Sequence, residues 1–168
     1  MEKEDNKMQK IILPLYSYKK GKEKIINKKS GLNQWNAKGR LRHNDEVYIP
    51  FPSELREKFK NFFPDRKYPF KVKLPNGEIL NMKVCQQGGK AIMSNPNKDL
   101  GKWILRDVLK IPEKKVVKYK DLLEIGIDSV VFEKFDNFYK LDFQKIGSYE
   151  FFIQNFVLDD YNDLNKDF

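Results

Sequence analysis

Cysteine, histidine and long apolar runs are nearly absent from this sequence of 168 residues. It contains one cysteine, Cys85, and one histidine, His43. A single cysteine excludes an intramolecular disulfide framework and a cysteine-rich zinc site. No apolar run approaches the roughly 20 residues of a membrane-spanning helix, and the first residues, MEKEDNKMQK, are too charged for a signal peptide. We therefore expect no membrane association and a cytoplasmic location.

Aromatic residues, by contrast, are plentiful. Thirteen Phe, eight Tyr and two Trp make up 14% of the chain. Disordered proteins rarely carry so much aromatic mass, and the length suits one domain with its own core. We expect residues 1–9 to be disordered, residues 10–145 to form the domain, and residues 146–168 to form an acidic C-terminal extension.

Acidic residues are too few to balance the basic ones, and the net charge is +9. Residues 1–45 carry twelve Lys/Arg against five Asp/Glu, residues 83–106 carry five against one, and residues 146–168 carry one against five. Two concentrated basic windows indicate a surface for a polyanion such as nucleic acid. Lys outnumbers Arg by 28 to 5, which is what the codon usage of an AT-rich genome produces. Ordinary solvated lysines therefore explain the net charge, taken by itself, equally well.

Hydrophobic periodicity predicts mainly β structure. Strands are predicted at residues 10–18, 46–51, 70–74, 78–85, 90–94, 116–119, 127–135 and 138–143. Pro14 restricts the first strand to a sheet edge or a bulge, and Asn76-Gly77 predicts a hairpin turn. Residues 19–45 show no clear period, which is typical of a functional or disordered segment.

Two helices are predicted between these strands. The first has an apolar stripe at helical spacing, formed by Leu55, Phe59, Phe62 and Phe63. The second is predicted to start at Asn95-Pro96, an N-cap followed by proline, with the stripe Leu100, Ile104 and Val108. Residues 146–168 are predicted to be a closing helix or a tail. Short connections between these elements favour an antiparallel barrel or sandwich.

Residues suited to catalysis are scarce. His43 lies in Arg42-His43-Asn44-Asp45, without the His-x-Lys of a phospholipase D-type nuclease, and is better interpreted as a loop histidine. Pro64-Asp65 is not followed by the acidic-x-Lys of a metal-dependent nuclease on the next strand. Gly-rich phosphate motifs and zinc-ligand spacings are also absent from the sequence. We expect no catalytic residues, no cofactor and no metal site.

Two segments combine basic, amide and glycine residues in a way that suits DNA binding. In residues 29–45 and again in residues 86–98, Asn and Gln accompany basic residues. Arginine pairs bidentately with guanine, Asn or Gln pairs with adenine, and lysine contacts phosphates. Trp35 can wedge between bases, stack on them or anchor its own loop. Neither segment is specific by itself.

Ordered motifs along the chain resemble a known family, the C-terminal DNA-binding domain of the NgoFVII family of type II restriction endonucleases. The motifs are SGLNQWNAKGR, EVYIPFP, FFP, LPNGE, KVCQQGGKAIMSNPNKDLGKW and FYKLDF. The resemblance covers roughly residues 10–143. It implies the plant B3-like DNA-binding fold, which is mainly β (α+β): a seven-stranded open pseudobarrel flanked by two short helices.

The resemblance further implies two arms that bind double-stranded DNA in its major groove. The N-arm is residues 30–45, and the C-arm is residues 86–90 with the segment to residue 98. The DNA-binding candidates of the N-arm are Asn33, Gln34, Trp35, Asn36, Lys38, Arg40 and Arg42. Those of the C-arm are Gln86, Gln87, Lys90, Ser94, Asn95, Asn97 and Lys98.

The function that the resemblance implies is sequence-specific DNA recognition within a restriction endonuclease, by a domain or subunit that is not itself an enzyme. Family members usually carry a phospholipase D-like nuclease domain upstream. No such domain is recognisable in these residues, so we expect a separate or fused nuclease as a partner. The alternatives are a standalone B3-like DNA reader, transcriptional or modification-sensing, and a small metal-dependent nuclease.

Overall fold

The structure is a computed structural model that describes residues 9–19 and 23–158. Within these residues the strands are β1 (Gln9–Pro14), β2 (Ser17–Lys19), β3 (Glu23–Ile25), β4 (Ile49–Pro50), β5 (Phe70–Lys73), β6 (Ile79–Cys85), β7 (Ala91–Ser94), β8 (Ile127–Lys134) and β9 (Tyr139–Lys145). The helices are α1 (Ser53–Lys58), α2 (Asn97–Gly101), α3 (Tyr119–Ile125) and α4 (Ser148–Ile153). The chain continues from α2 as the π-helix Lys102–Val108 and from α4 as the π-helical turn Gln154–Leu158.

Seven strands form one sheet in the order β1-β8-β9-β5-β6-β7-β4. Neighbouring strands are antiparallel except β5 and β9, which are parallel. The two edge strands, β1 and β4, contact each other, so the sheet curls into a nearly closed barrel. This confirms the expected seven-stranded pseudobarrel. Strands β2 and β3 form a separate antiparallel hairpin.

Alternating apolar residues of the strands and a cluster of aromatic rings fill the barrel. In β5, Phe70 and Val72 are buried while the lysines between and after them are exposed. Phe63 packs against Phe70 and Phe132 with ring centroids 5.2 and 5.0 Å apart. Such aromatic pairs contribute about 0.5–1.5 kcal/mol beyond the burial of their area. The Tyr139 hydroxyl donates to the Phe62 carbonyl, and burial raises the pKa of Tyr139 to about 12.

Most of the predicted strands are confirmed. Strands β5 to β9 lie within two residues of the predictions at 70–74, 78–85, 90–94, 127–135 and 138–143. Pro14 is the last residue of β1, which is an edge strand of the sheet, as predicted from the missing N–H of proline. The strand predicted at residues 10–18 is instead two strands, β1 and β2, and of residues 46–51 only Ile49–Pro50 pair with β7.

Two helix predictions and one strand prediction are wrong in detail. Helix α1 ends at Lys58, yet Phe62 and Phe63 are buried because the chain turns back toward the barrel after the helix. Pro96, rather than the residue before it, is the N-cap of α2. No strand forms at residues 116–119, and Tyr119 is instead the first residue of α3. Its start is stabilised where the Lys118 N–H donates to Asp121 Oδ2 at 2.8 Å.

The first part of the acidic C-terminal extension is a helix packed on the barrel. Tyr149 and Phe152 of α4 are buried. The Tyr149 hydroxyl donates to Glu54 Oε1 at 2.7 Å, and Glu150 forms an ion pair with Lys24 of β3. Residues 159–168 lie outside the described residues. So do residues 1–8 of the segment expected to be disordered, while residue 9 begins β1.

Candidate nucleic-acid interface

The two predicted arms flank the short edge strand β4. The N-arm (residues 30–45) precedes β4, which pairs with β7. The C-arm turn (residues 86–90) precedes β7 and meets the other end of β4, where the Phe51 N–H donates to Lys90 O at 2.8 Å. Six residues of extended chain between Asp45 and Phe51 reach about 20 Å at most. The N-arm and the C-arm turn therefore lie at the two ends of one short stretch of chain.

The remainder of the predicted C-arm lies apart from the C-arm turn. This 94–98 segment (residues 94–98) follows β7, whereas the turn precedes it. The four residues of β7 span about 13 Å. Because β4 and β7 are antiparallel, the 94–98 segment lies at the end where the N-arm enters β4. The structure thus divides the predicted C-arm into two parts.

A buried asparagine fixes the base of the N-arm. Asn33 lies in the 3₁₀-helix Gly31–Asn36 and has no exposed surface. Its amide nitrogen donates to Asn27 O and Val117 O at 2.9 Å, and its Oδ1 accepts from the Val117 N–H at 2.8 Å. A buried polar group left unpaired costs about 1–3 kcal/mol. The structure therefore places this DNA-binding candidate inside the protein, where it ties the arm to the segment before α3.

Other residues of the same 3₁₀-helix also face the protein. Leu32 is buried in the core, and Trp35 packs against that core with part of its ring exposed. The Trp35 indole N–H is buried and has no hydrogen-bond partner in the part of the chain described. Asn36 Nδ2 donates to Lys28 O at 3.0 Å, and Gln34 is half-buried. Of the three interpretations of Trp35, this packing supports the anchoring of its loop.

A buried carboxylate organises the tip of the N-arm. Glu46 is 2% exposed and accepts from both terminal nitrogens of Arg40, at 3.1 and 2.6 Å. Arg42 Nε lies 3.4 Å from the same carboxylate, and Arg42 Nη1 donates to Ala37 O at 2.7 Å and Lys38 O at 3.1 Å. Two guanidinium groups offset the cost of burying this charge. Both arginine candidates of the N-arm thus have protein partners, whereas Lys38 is exposed.

Helix α2 and its continuation hold the end of the N-arm. Arg106 Nε donates to Asp45 Oδ1 at 2.7 Å, Nη2 donates to Asn44 O at 3.0 Å, and Nη1 donates to Ile111 O at 2.7 Å. Gly101 packs directly on the arm, because a Cβ at this position would lie 1.6 Å from the Asp45 carbonyl oxygen. No side chain fits there, so this close approach of two backbone segments requires glycine.

Left-handed backbone conformations shape the C-arm turn. The φ angles are 68° at Gln86, 78° at Gly88 and 71° at Gly89. Two arginines from outside the turn donate to its carbonyls, Arg56 to Gly88 O at 2.7 Å and Arg66 to Gln86 O at 2.8 Å. The turn is held through its backbone, so its side chains remain free of these contacts. The exposed DNA-binding candidates here are Gln86, Gln87 and Lys90.

A basic cleft of about 410 Å³ lies between α1 and the C-arm turn. Its charged lining residues are Arg56, Lys60 and Arg66, with Asp65 as the acidic member. The excess of positive charge suits a phosphate group. Beside the cleft, burial raises the pKa of the Cys85 thiol, which keeps the thiol protonated at neutral pH.

The 94–98 segment mixes one structural and several outward residues. Ser94 is buried, and its Oγ accepts from the Leu100 N–H at 2.9 Å and donates to Pro96 O at 2.8 Å. These bonds attach the end of β7 to the first turn of α2. Asn95 and Lys98 are exposed, and Asn97 is half-buried.

All five arginines of the chain contact one of the arms, although the sequence holds 28 lysines. Two lie in the N-arm, one holds its end, and two hold the C-arm turn. The planar guanidinium group carries several fixed donors, so it suits such contacts better than an ammonium group. Sequence reasoning missed Arg56, Arg66 and Arg106. The small number of arginines in the sequence is the signal by which these three residues could have been found.

The arms lie within the part of the sequence that matches a known family. Residues 7–136 match the family model of the NgoFVII C-terminal B3-like DNA-binding domain, which is well over half of the chain. The chain belongs to this family. No curated protein matches the sequence. The N-arm, the C-arm turn and the 94–98 segment are therefore parts of a domain that recognises double-stranded DNA.

The residues that the structure describes hold neither a metal-binding cluster nor a membrane-spanning helix. In residues 9–19 and 23–158, no group of three or more His, Cys, Asp and Glu side chains is placed to hold a metal ion. Helices in these ranges are also too short or too polar to cross a membrane. His43 Nδ1 accepts from the Asp45 N–H at 3.0 Å, in keeping with its interpretation as a loop histidine.

Proposed function

We propose that this chain is the sequence-recognition part of a restriction endonuclease and that its arms read the major groove of DNA. The observation that carries this proposal is that the scarce arginines hold both arms of a DNA-binding domain in fixed shapes. An arm that is ordered before binding loses less conformational entropy when it meets the duplex. Fixed arms therefore favour selective recognition over loose attraction to a polyanion.

The exposed candidates are the proposed contacts to DNA. The amides of Gln86, Gln87 and Asn95 are exposed and suit adenine edges, since an amide can pair bidentately with that base. Lys38, Lys90 and Lys98 suit phosphates. Gln34 and Asn97 are half-buried and complete the set of contacts, whereas Trp35 and Asn36 hold the N-arm, Trp35 by packing on the core and Asn36 by donating to Lys28 O.

The candidates whose polar groups bind partners within the protein have a positioning role in this proposal, and Arg40 is among them although half of its side chain is exposed. Asn33 and Ser94 are buried and fully engaged with backbone groups. Arg40 and Arg42 hold the N-arm around Glu46. Their removal would then act on DNA binding through the shape of the arm.

A DNA backbone phosphate is the proposed occupant of the cleft beside the C-arm turn. Arg56 and Arg66 each donate one hydrogen bond to the turn, and guanidinium groups carry further donors. A phosphate bound there would sit next to the exposed amides of the turn. It would fix the register in which Gln86 and Gln87 meet the bases.

Selection from a random duplex library tests sequence-specific recognition. We expect the purified protein to enrich one sequence, with each wrong base pair costing about 1–3 kcal/mol. Enrichment of many unrelated duplexes with equal affinity would contradict the proposal. The enriched duplex should also be prepared with methylated bases, because a modification-sensing reader would bind one form selectively.

The restriction role is tested separately. Incubation with plasmid DNA and Mg²⁺ should leave the plasmid intact, since recognition and cleavage reside in different domains. Cleavage would instead support a small metal-dependent nuclease. We expect a nuclease or a DNA methyltransferase to be encoded next to this chain or in the same reading frame. A gene neighbourhood with neither would support a standalone DNA reader.

A further inference from the structure

The most exposed large apolar side chain among the described residues is Leu41, which is 97% exposed. It lies in the N-arm between Arg40 and Arg42. Single exposed leucines are common on protein surfaces and by themselves need no explanation. Here both flanking residues are cationic, and both are held by other residues, Arg40 by Glu46 and Arg42 by the Ala37 carbonyl.

The flanking arginines fix the backbone on either side of Leu41. Arg40 binds Glu46 through both terminal nitrogens, and Arg40 Nη1 also donates to Leu41 O at 3.2 Å. Arg42 donates to Ala37 O at 2.7 Å on the opposite side. The leucine therefore stands outward on a constrained loop. At this point the arm presents an isobutyl group beside the half-exposed Arg40 side chain.

We propose that Leu41 is a specificity-determining residue that contacts the C5-methyl group of a pyrimidine in the major groove. This inference rests on the proposed function of the arms. In the major groove thymine presents a methyl group where cytosine presents only a C–H, and 5-methylcytosine presents the same methyl group as thymine. A leucine side chain has no donor or acceptor, so an apolar contact is the means by which it distinguishes bases. Contact between the two apolar groups removes both from water.

The test uses the duplex enriched from the random library. Each thymine is replaced in turn by deoxyuridine, which removes the methyl group and keeps the pairing and the O4 acceptor, and each cytosine by 5-methylcytosine. We expect one position at which the methyl group strengthens wild-type binding about fourfold, the factor for burying one methyl group. Leu41→Ala should lose this sensitivity at that position and keep any others. A response to deoxyuridine shows that the contacted methyl group belongs to thymine, and a response to 5-methylcytosine shows that it belongs to that base.

Two variants serve as controls. Ile79→Ala removes another exposed apolar side chain, 61% exposed, at the end of β6 farthest from the C-arm turn, and should keep the wild-type pattern. Leu41→Met keeps an apolar group and should retain the methyl sensitivity. Because Leu41 is almost fully exposed, its variants should unfold at the wild-type denaturant concentration.

Three outcomes would overturn the inference, and they are distinguishable. Leu41→Ala with wild-type affinity and an unchanged response at every methyl position shows that Leu41 does not contact a methyl group, while the proposed function stands. Equal loss at all positions in Leu41→Ala also contradicts a single methyl contact. Failure of the wild-type protein to enrich any duplex removes the proposed function and this inference with it.

Discussion

The N-arm and the C-arm turn are stabilised by different kinds of contact. In the N-arm two of the arm's own arginines bind a buried carboxylate, and a buried asparagine side chain holds the base of the arm. In the C-arm turn two arginines from outside the turn donate to backbone carbonyls, and the polar side chains of the turn are exposed. The N-arm is held by contacts of its own side chains, whereas the turn is held by hydrogen bonds to its backbone carbonyls.

This difference determines what each arm can offer to DNA. The guanidinium groups of the N-arm bind protein partners, and Lys38, Leu41 and half of the Arg40 side chain remain exposed. The turn keeps Gln86, Gln87 and Lys90 exposed because none of them is needed to hold its shape. Changes in the N-arm should therefore lower stability together with binding, whereas changes around the turn should lower binding alone. The variants below, ordered by expected effect, test this distinction.

The largest effect is expected for Gly101→Ala. Its methyl group would lie 1.6 Å from the Asp45 carbonyl oxygen, so α2 and the N-arm must move apart. We expect a loss of about 3 kcal/mol in the free energy of unfolding, the upper part of the range for overpacking. Urea unfolding measures it, with Lys102→Ala, an exposed neighbour on the same helix, as the unchanged control. Equal stability of the two variants would show that the arm does not rest on this glycine.

Asn33→Leu removes the buried amide while keeping a side chain of similar size. Both Val117 backbone groups and the Asn27 carbonyl then lose their partner. Buried unpaired groups cost about 1–3 kcal/mol, and we expect about 2 to 3 kcal/mol overall. Asn36→Leu in the same 3₁₀-helix loses one exposed hydrogen bond and should cost well under half of this. A reversed order in urea unfolding would contradict our account of the arm's base.

Glu46→Gln keeps the shape of the side chain and removes its charge. Arg40 and Arg42 would then face a neutral amide, and the loss of hydrogen bonds to a charged group gives an expected cost of about 2 kcal/mol. DNA affinity should fall as well, although the change adds positive net charge that by itself favours binding. Glu78→Gln makes the same charge change at an exposed site and should bind DNA at least as tightly as the wild type. Tighter binding by both variants would show that the carboxylate does not order the arm.

Exchanging arginine for lysine on each side compares the two arms directly. Arg106→Lys loses most of three hydrogen bonds at the N-arm and should cost about 1 to 2 kcal/mol of stability. Arg66→Lys loses one exposed bond to Gln86 O and should change stability by no more than about 0.5 kcal/mol. Its DNA affinity should nevertheless fall at the selected site. Similar stability losses in both variants would remove the distinction between the arms.

The smallest effect is expected for Lys98→Ala. Its exposed ammonium group is a proposed phosphate contact, so its loss should weaken all sequences alike. Binding measured at several salt concentrations should show a dependence shallower by about one unit. A changed base preference would instead place Lys98 at a base edge.

Local sequence signals were sufficient for much of the barrel. Alternation along residues 70–73 and the Asn76-Gly77 turn predicted β5 and β6, because side chains alternate between the faces of a strand. The same signals failed at residues 116–119, where Val117 pairs with Asn33 from a distant segment. They also failed after Lys58, where burial of Phe62 and Phe63 continues without a helix. An apolar stripe records burial, and it does not record which backbone conformation achieves it.

By itself the sequence determined the strand pattern, the two basic windows and, through its ordered motifs, the family. The tertiary structure alone decided which residues of those windows are buried and which are exposed. Asn33 is buried by a partner 84 positions away, and Arg106 reaches Asp45 across 61 positions. The sequence alone does not show whether a polar side chain is solvated or buried against a loop. Its burial depends on which distant groups the fold brings next to it. For that reason the sequence does not show that Arg40 and Arg42 bind Glu46 while Leu41 between them is exposed.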